Sequence, residues 1–96
     1  MPAALSYAAA TVLHAISRGR RYGFEIMDAT GMPSGTVYPA LRKLEKNGLI
    51  QAQWERESVA RAERRPTRRY YRVTTAGDTE LAAAGTRYRF PEVTPV

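Results

Sequence analysis

The chain contains no cysteine, which removes a disulfide framework, a thiolate zinc site and a cysteine nucleophile together. Histidine occurs once, as His14, and aspartate only as Asp28 and Asp78. Side chains for acid–base work or metal ligation are therefore scarce, so neither an enzyme nor a metal or cofactor site is expected. No apolar run approaches the roughly 18 to 20 residues of a membrane span, and Met1 to Ala10 lacks the basic segment that opens a secretory leader. The expected setting is a reducing cytoplasm. Bulky apolar side chains are in short supply too: the apolar fraction is 44%, but fifteen of its members are alanine. A chain of 96 residues is then one domain with a small core, which dimerisation would enlarge.

Arginine is what the chain has in excess. The formal charge is +6, and its distribution is uneven. Seven arginines (Arg56, Arg61, Arg64, Arg65, Arg68, Arg69 and Arg72) face only Glu57 and Glu63 within the 17 residues from Arg56 to Arg72, whereas the rest of the chain is nearly neutral. The planar guanidinium fork suits phosphate better than a lysine point charge does. A polyanion partner is one reading of this stretch and a solvated basic loop is the other.

Periodicity gives the frame. Leu5, Ala8, Ala9, Val12 and Ile16 recur at spacings of three and four, which predicts a first helix over Ala3 to Arg18. Tyr22 to Thr30 is a short second helix closed by Gly31. Ser34 is the expected N-cap of a third helix, Thr36 to Asn47, ended by Gly48. On it Val37, Ala40, Leu41 and Leu44 share one arc, with Gly35, Pro39, Arg42, Lys43 and Lys46 opposite. Two short helices joined by a turn, the second with a basic outer face, form a helix-turn-helix. The period then changes to two. Ile50, Ala52 and Trp54 alternate with polar residues, as do Arg69, Tyr71 and Val73, and this predicts two strands around an arginine-rich loop from Arg56 to Thr67. Such a hairpin is a wing, with Trp54 expected to anchor it inwards. Thr74 or Thr75 caps a last helix to about Ala84, with Asp78 in a capping-box position after Thr75. Gly85, Pro91 and Pro95 make the tail irregular. The fold class is thus mainly α with a small β-hairpin: a winged helix-turn-helix over residues 1–75, then a short C-terminal dimerisation helix and tail over 76–96.

The runs Arg21-Tyr22-Gly23-Phe24-Glu25-Ile26, Ser34 to Ile50 (SGTVYPALRKLEKNGLI) and Arg69-Tyr70-Tyr71-Arg72-Val73-Thr74, with Gly77 and Leu81, resemble the PadR family of bacterial winged-helix transcriptional regulators. The likeness spans about residues 5 to 82. It implies a homodimeric repressor on a pseudo-palindromic operator, associated with the bacterial nucleoid, and in many members a small aromatic effector bound near the dimer interface. Here Glu63-Arg64-Arg65-Pro66-Thr67 stands where the family wing often has a glycine-rich tip, and the last helix is shorter than usual.

Positions matching the family's DNA-facing residues are Ser34, Thr36 and Tyr38, with Tyr22 as a residue approaching the backbone; Ser34 also reads as a cap and Tyr22 as core. Pro39 is either a tolerated first-turn proline or a device that keeps the helix start open to phosphate. Arg42 and Lys43 are the candidates for major-groove contact, since arginine pairs bidentately with guanine. Arg64, Arg65, Arg68 and Arg69 would follow the backbone or enter the minor groove. His14 has no companion ligand and reads as structural. Leu5, Ala8, Ala9, Val12 and Leu81 are expected at a dimer interface, with packing inside one subunit as the competing account. Double-stranded DNA is the favoured partner; the alternative is an interaction module for protein or structured RNA. Large aliphatic anchors, which a protein-docking face would carry, are missing from the outer arc of the third helix.

Overall fold

The computed structural model describes residues 4–93. Ala3, the expected start of the first helix, and Pro95 of the tail lie outside them. The elements run α1 (Tyr7–Ser17), α2 (Gly23–Thr30), α3 (Ser34–Lys46), β1 (Ile50–Trp54), α4 (Glu57–Ala62), β2 (Arg69–Val73) and α5 (Thr75–Ala84).

Helix α1 starts later than its apolar stripe does, because Ser6 is extended and its hydroxyl accepts the Ala9 amide at 3.1 Å. A satisfied cap outweighs one more turn of periodicity. Helix α2 follows the extended Tyr22 and ends on Gly31, whose φ of 71° is the left-handed conformation that glycine adopts without strain. Helix α3 departs from expectation at its start: the N-cap is Pro33, which makes no side-chain capping bond, and Ser34 is already the first helical residue. Pro33 is held extended by its ring, and its carbonyl accepts the amides of Thr36 and Val37, both at 3.0 Å. The helix passes through Pro39 unbroken. Gly35, whose carbonyl the proline cannot serve, is exposed to water.

The three helices close on one core. Val12, Leu13, Ile26, Val37, Leu41, Leu44 and Ile50 are at most 1% exposed, each worth roughly 1.5 to 3 kcal/mol of burial. Ala9 and Val12 belong to this core, so they do not offer themselves to a partner as the stripe led us to expect. Leu5, Ala8 and Leu81 remain half-buried. Strands β1 and β2 pair antiparallel with Ile50 opposite Val73 and Trp54 opposite Arg69. The Tyr71 amide donates to the Arg21 carbonyl at 2.8 Å, which ties the free edge of β2 to the segment before α2.

Two expectations for the hairpin fail. Trp54 is 61% exposed rather than an inward anchor: it shares a face with Ile50, but four residues along the strand, roughly 13 Å, that face has run past the core. Its opposite residue Arg69 lays a guanidinium over the indole at 5.4 Å instead. The expected loop from Arg56 to Thr67 contains α4, a helix of one and a half turns whose Ala60 is buried. Thr74, not Thr75, caps α5, accepting the Gly77 amide at 3.0 Å, so no capping box forms at Asp78. The tail has no regular element, yet it folds back on α1. Phe90 stacks on His14 at 4.8 Å, the Tyr88 hydroxyl donates to the Leu5 carbonyl at 2.9 Å, and Val93 is buried.

Candidate nucleic-acid interface

With Val37, Leu41 and Leu44 locked in the core, the opposite arc of α3 faces solvent. Ser34, Tyr38, Pro39, Arg42, Lys43 and Lys46 are exposed there and Thr36 is half-buried. This surface is cationic along its second half and hydroxyl-bearing at its start. No aliphatic side chain longer than a proline ring interrupts it. Tyr38 is fixed from below: a Cβ on Gly23 would lie 2.2 Å from its hydroxyl oxygen, so the phenol occupies space that only a glycine at the start of α2 leaves open.

The wing stands beside this face and is braced at both ends. Along β2, Arg68 lies over the Tyr22 ring at 4.0 Å, Tyr22 meets Tyr70 edge-on at 5.8 Å, and Arg21 lies over Tyr70 at 5.0 Å. This alternation of cations and rings joins α2 to β2, with each stacked pair adding a modest increment. Further out, Arg65 grips Glu55 with two guanidinium nitrogens at 2.6 and 2.7 Å and also pairs with Glu63. Glu55 accepts in addition from the Tyr70 hydroxyl at 3.1 Å and the Arg68 amide at 3.3 Å. These donors, Arg65 first, hold the Glu55 carboxyl down to about 2, and the Glu55 and Glu63 carboxylates in turn push Arg65 above its ordinary value. Arg69 reaches Glu45 of α3 at 2.7 Å, while burial raises the Tyr71 phenol.

The structure therefore separates the arginines that sequence treated alike. Arg56, Arg61, Arg64 and Arg72 are exposed, and Arg64 stands at the end of α4 with a left-handed φ of 55°. Arg65 and Arg69 are engaged in ion pairs, and Arg68 is half-buried on its aromatic neighbours. Ser34, Thr36, Tyr38, Pro39, Arg42 and Lys43 lie together on α3, and Tyr22 sits against Arg68 and Tyr70 of the wing. Sequence reasoning missed Glu55 and Tyr70 as the wing's hub. In the alternation of β2 Tyr70 falls between the positions that carry the pattern, and Glu55 lies one residue before the arginine-rich stretch.

The profile of the transcriptional regulator PadR-like family matches residues 12–83. The chain belongs to the PadR-like family. Its members regulate transcription and are not enzymes. Similar solved structures include a PadR family transcription regulator from Clostridium difficile R20291, 24% identical, with 88% of each chain covered and a TM-score of 0.74. A transcriptional regulator from Clostridium thermocellum is 26% identical over 84% of this chain and 79% of that one, at 0.71. A Streptococcus mutans UA159 protein is 24% identical over 91% and 82%, at 0.70. None of the curated proteins matches the chain. In the PadR-like frame α2 and α3 form the helix-turn-helix and β1 and β2 the wing. Among the described residues no helix is long and apolar enough to cross a membrane.

Proposed function

We propose that this chain is a transcriptional repressor, acting in the cytoplasm as a homodimer on a pseudo-palindromic operator. Helix α3 of each subunit enters a major groove, and the two recognition helices stand about one DNA turn apart, roughly 34 to 36 Å. The observation that carries this reading is the outer arc of α3, cationic and exposed while its other arc is sealed in the core. Arg42 reads a base edge, and Lys43 takes a base edge or a flanking phosphate. Ser34, Thr36 and Tyr38 donate hydroxyls at the start of the helix, where Pro39 leaves the backbone accessible, and Tyr22 meets the sugar–phosphate chain. Arg64 and Arg68 follow the backbone beside the wing, whereas Arg65 and Arg69, expected there from sequence, serve the wing's shape and its tie to α3 through Glu55 and Glu45.

Dimerisation uses Leu5, Ala8 and Leu81 beside a groove of about 440 Å³ lined in part by Leu5, Ala9, Leu44, Leu49 and Glu80. No small-molecule effector is included, since α5 has only ten residues with which to build a pocket. Genomic footprinting of the tagged chain identifies the operator. Arg42→Ala then costs about 1 to 3 kcal/mol on that operator and little on random duplex. Equal loss on both, with the fold unchanged, makes Arg42 a phosphate clamp and removes it from base reading.

A further inference from the structure

Three large aromatic side chains stand out of the surface around the outer end of the β1–β2 ladder: Phe24 at 74% exposed, Trp54 at 61% and Tyr38 at 37%. They come from α2, β1 and α3, and with Tyr22, Arg68 and Arg69 they line one groove of about 340 Å³. Scattered apolar groups on a surface are ordinary, but three rings from three elements in one groove are a patch. Trp54 gives one face to the Arg69 guanidinium, but the wing is otherwise fastened without these rings, by Tyr71, the Arg21–Tyr70–Tyr22–Arg68 stack and the Glu55–Arg65 pair. Open π-faces beside guanidinium groups suit a flat π-system that carries a phosphate, which is the chemistry of a nucleotide. The groove opens beside α3 and the wing, the two parts that hold duplex DNA in the proposed function. Within a duplex both faces of a base are covered by its neighbours, so only a base drawn out of the stack offers one.

We propose that this groove receives an unpaired base of the bound DNA, stacked on Trp54 and Phe24 with its phosphate beside Arg68. The proposal rests on the reading of the chain as a duplex-DNA binder. It adds a source of selectivity at positions α3 never touches: sites whose pyrimidine–purine steps unstack easily are favoured.

Trp54 is the only tryptophan, so its emission reports on the groove. The full chain is titrated with duplexes of about 20 base pairs, long enough for two half-sites one turn apart. One set carries a single extrahelical thymidine walked along the sequence, a second carries an abasic site at the same places, and a third is uninterrupted. At the favoured positions the thymidine duplex binds about tenfold tighter than the uninterrupted one and quenches Trp54, while the abasic duplex does neither. Phe24→Ala removes the preference and keeps the affinity for uninterrupted duplex. If uninterrupted duplex binds and an extrahelical base adds nothing at any position, the groove proposal fails and the DNA-binding reading stands. If no duplex binds, both fail. Quenching by thymidine monophosphate alone, as tight as by the thymidine duplex, overturns the proposal in favour of a free-ligand site. Emission that shifts with protein concentration alone overturns it in favour of a second copy on the groove.

Discussion

Gly77 and Gly35 both sit in helices, and their surroundings dictate opposite responses to a methyl group. At Gly77 a Cβ would lie 2.1 Å from the Leu49 carbonyl oxygen and 2.7 Å from a Val73 methyl. Gly77→Ala therefore destabilises the chain by about 2 kcal/mol, outweighing a gain of roughly 1 kcal/mol in helix propensity. At Gly35 no atom comes within 4 Å, so Gly35→Ala stabilises by about 0.5 to 1 kcal/mol. Urea unfolding followed by circular dichroism measures both. Glu55 gives a pH test. Its carboxyl is held at about 2 against an ordinary 4.5, so the bracing it supplies is complete above 4.5 and is lost as pH falls from there through about 2. Hydrogen exchange in α4 and β2 should quicken across that window, and Glu55→Gln should abolish the dependence. The Arg65 partnership was not legible in the sequence. Its carboxylate lies ten residues upstream, and only the turn made by α4 brings the two together.

Elements with a long apolar period were readable, and those fixed by one contact were not. The core arc of α3 followed from Val37, Ala40, Leu41 and Leu44 alone, and Leu44→Ala should cost about 2 to 5 kcal/mol in the same unfolding assay. The six residues of α4 are too few to show a period, and their arginines pointed to solvent. The outward turn of Trp54 depends on how far the core reaches along β1, which alternation does not report. The tail was invisible for a different reason: His14, Tyr7, Tyr88 and Phe90 meet across some 80 residues of chain, with no local pattern. Burial against this tail, helped by Arg18, lowers the His14 imidazole from its ordinary 6.5. A detached tail leaves His14 with the higher value, so docking weakens as pH falls below about 6.5. Phe90→Ala should raise the His14 value towards 6.5 in a proton NMR titration; an unchanged value would mean the stacking does not shield the ring.

Across the whole molecule, a sealed helical core presents one cationic helix face and holds a braced wing beside it. The arginine excess in the sequence falls on the wing beside that face, and sequence alone could not divide its members between ion pairs and solvent. Ion pairing with Glu45 and Glu55 ties down Arg69 and Arg65, so in the proposed function α3 and the wing's exposed arginines are what displaces counterions from DNA. The central claim is that these side chains touch phosphate, and the salt dependence of binding tests it most directly. With about three phosphate contacts per subunit, the affinity of the proposed dimer for duplex DNA should fall with a log–log slope of about −5 against salt concentration. A slope shallower than about −2 would contradict the account.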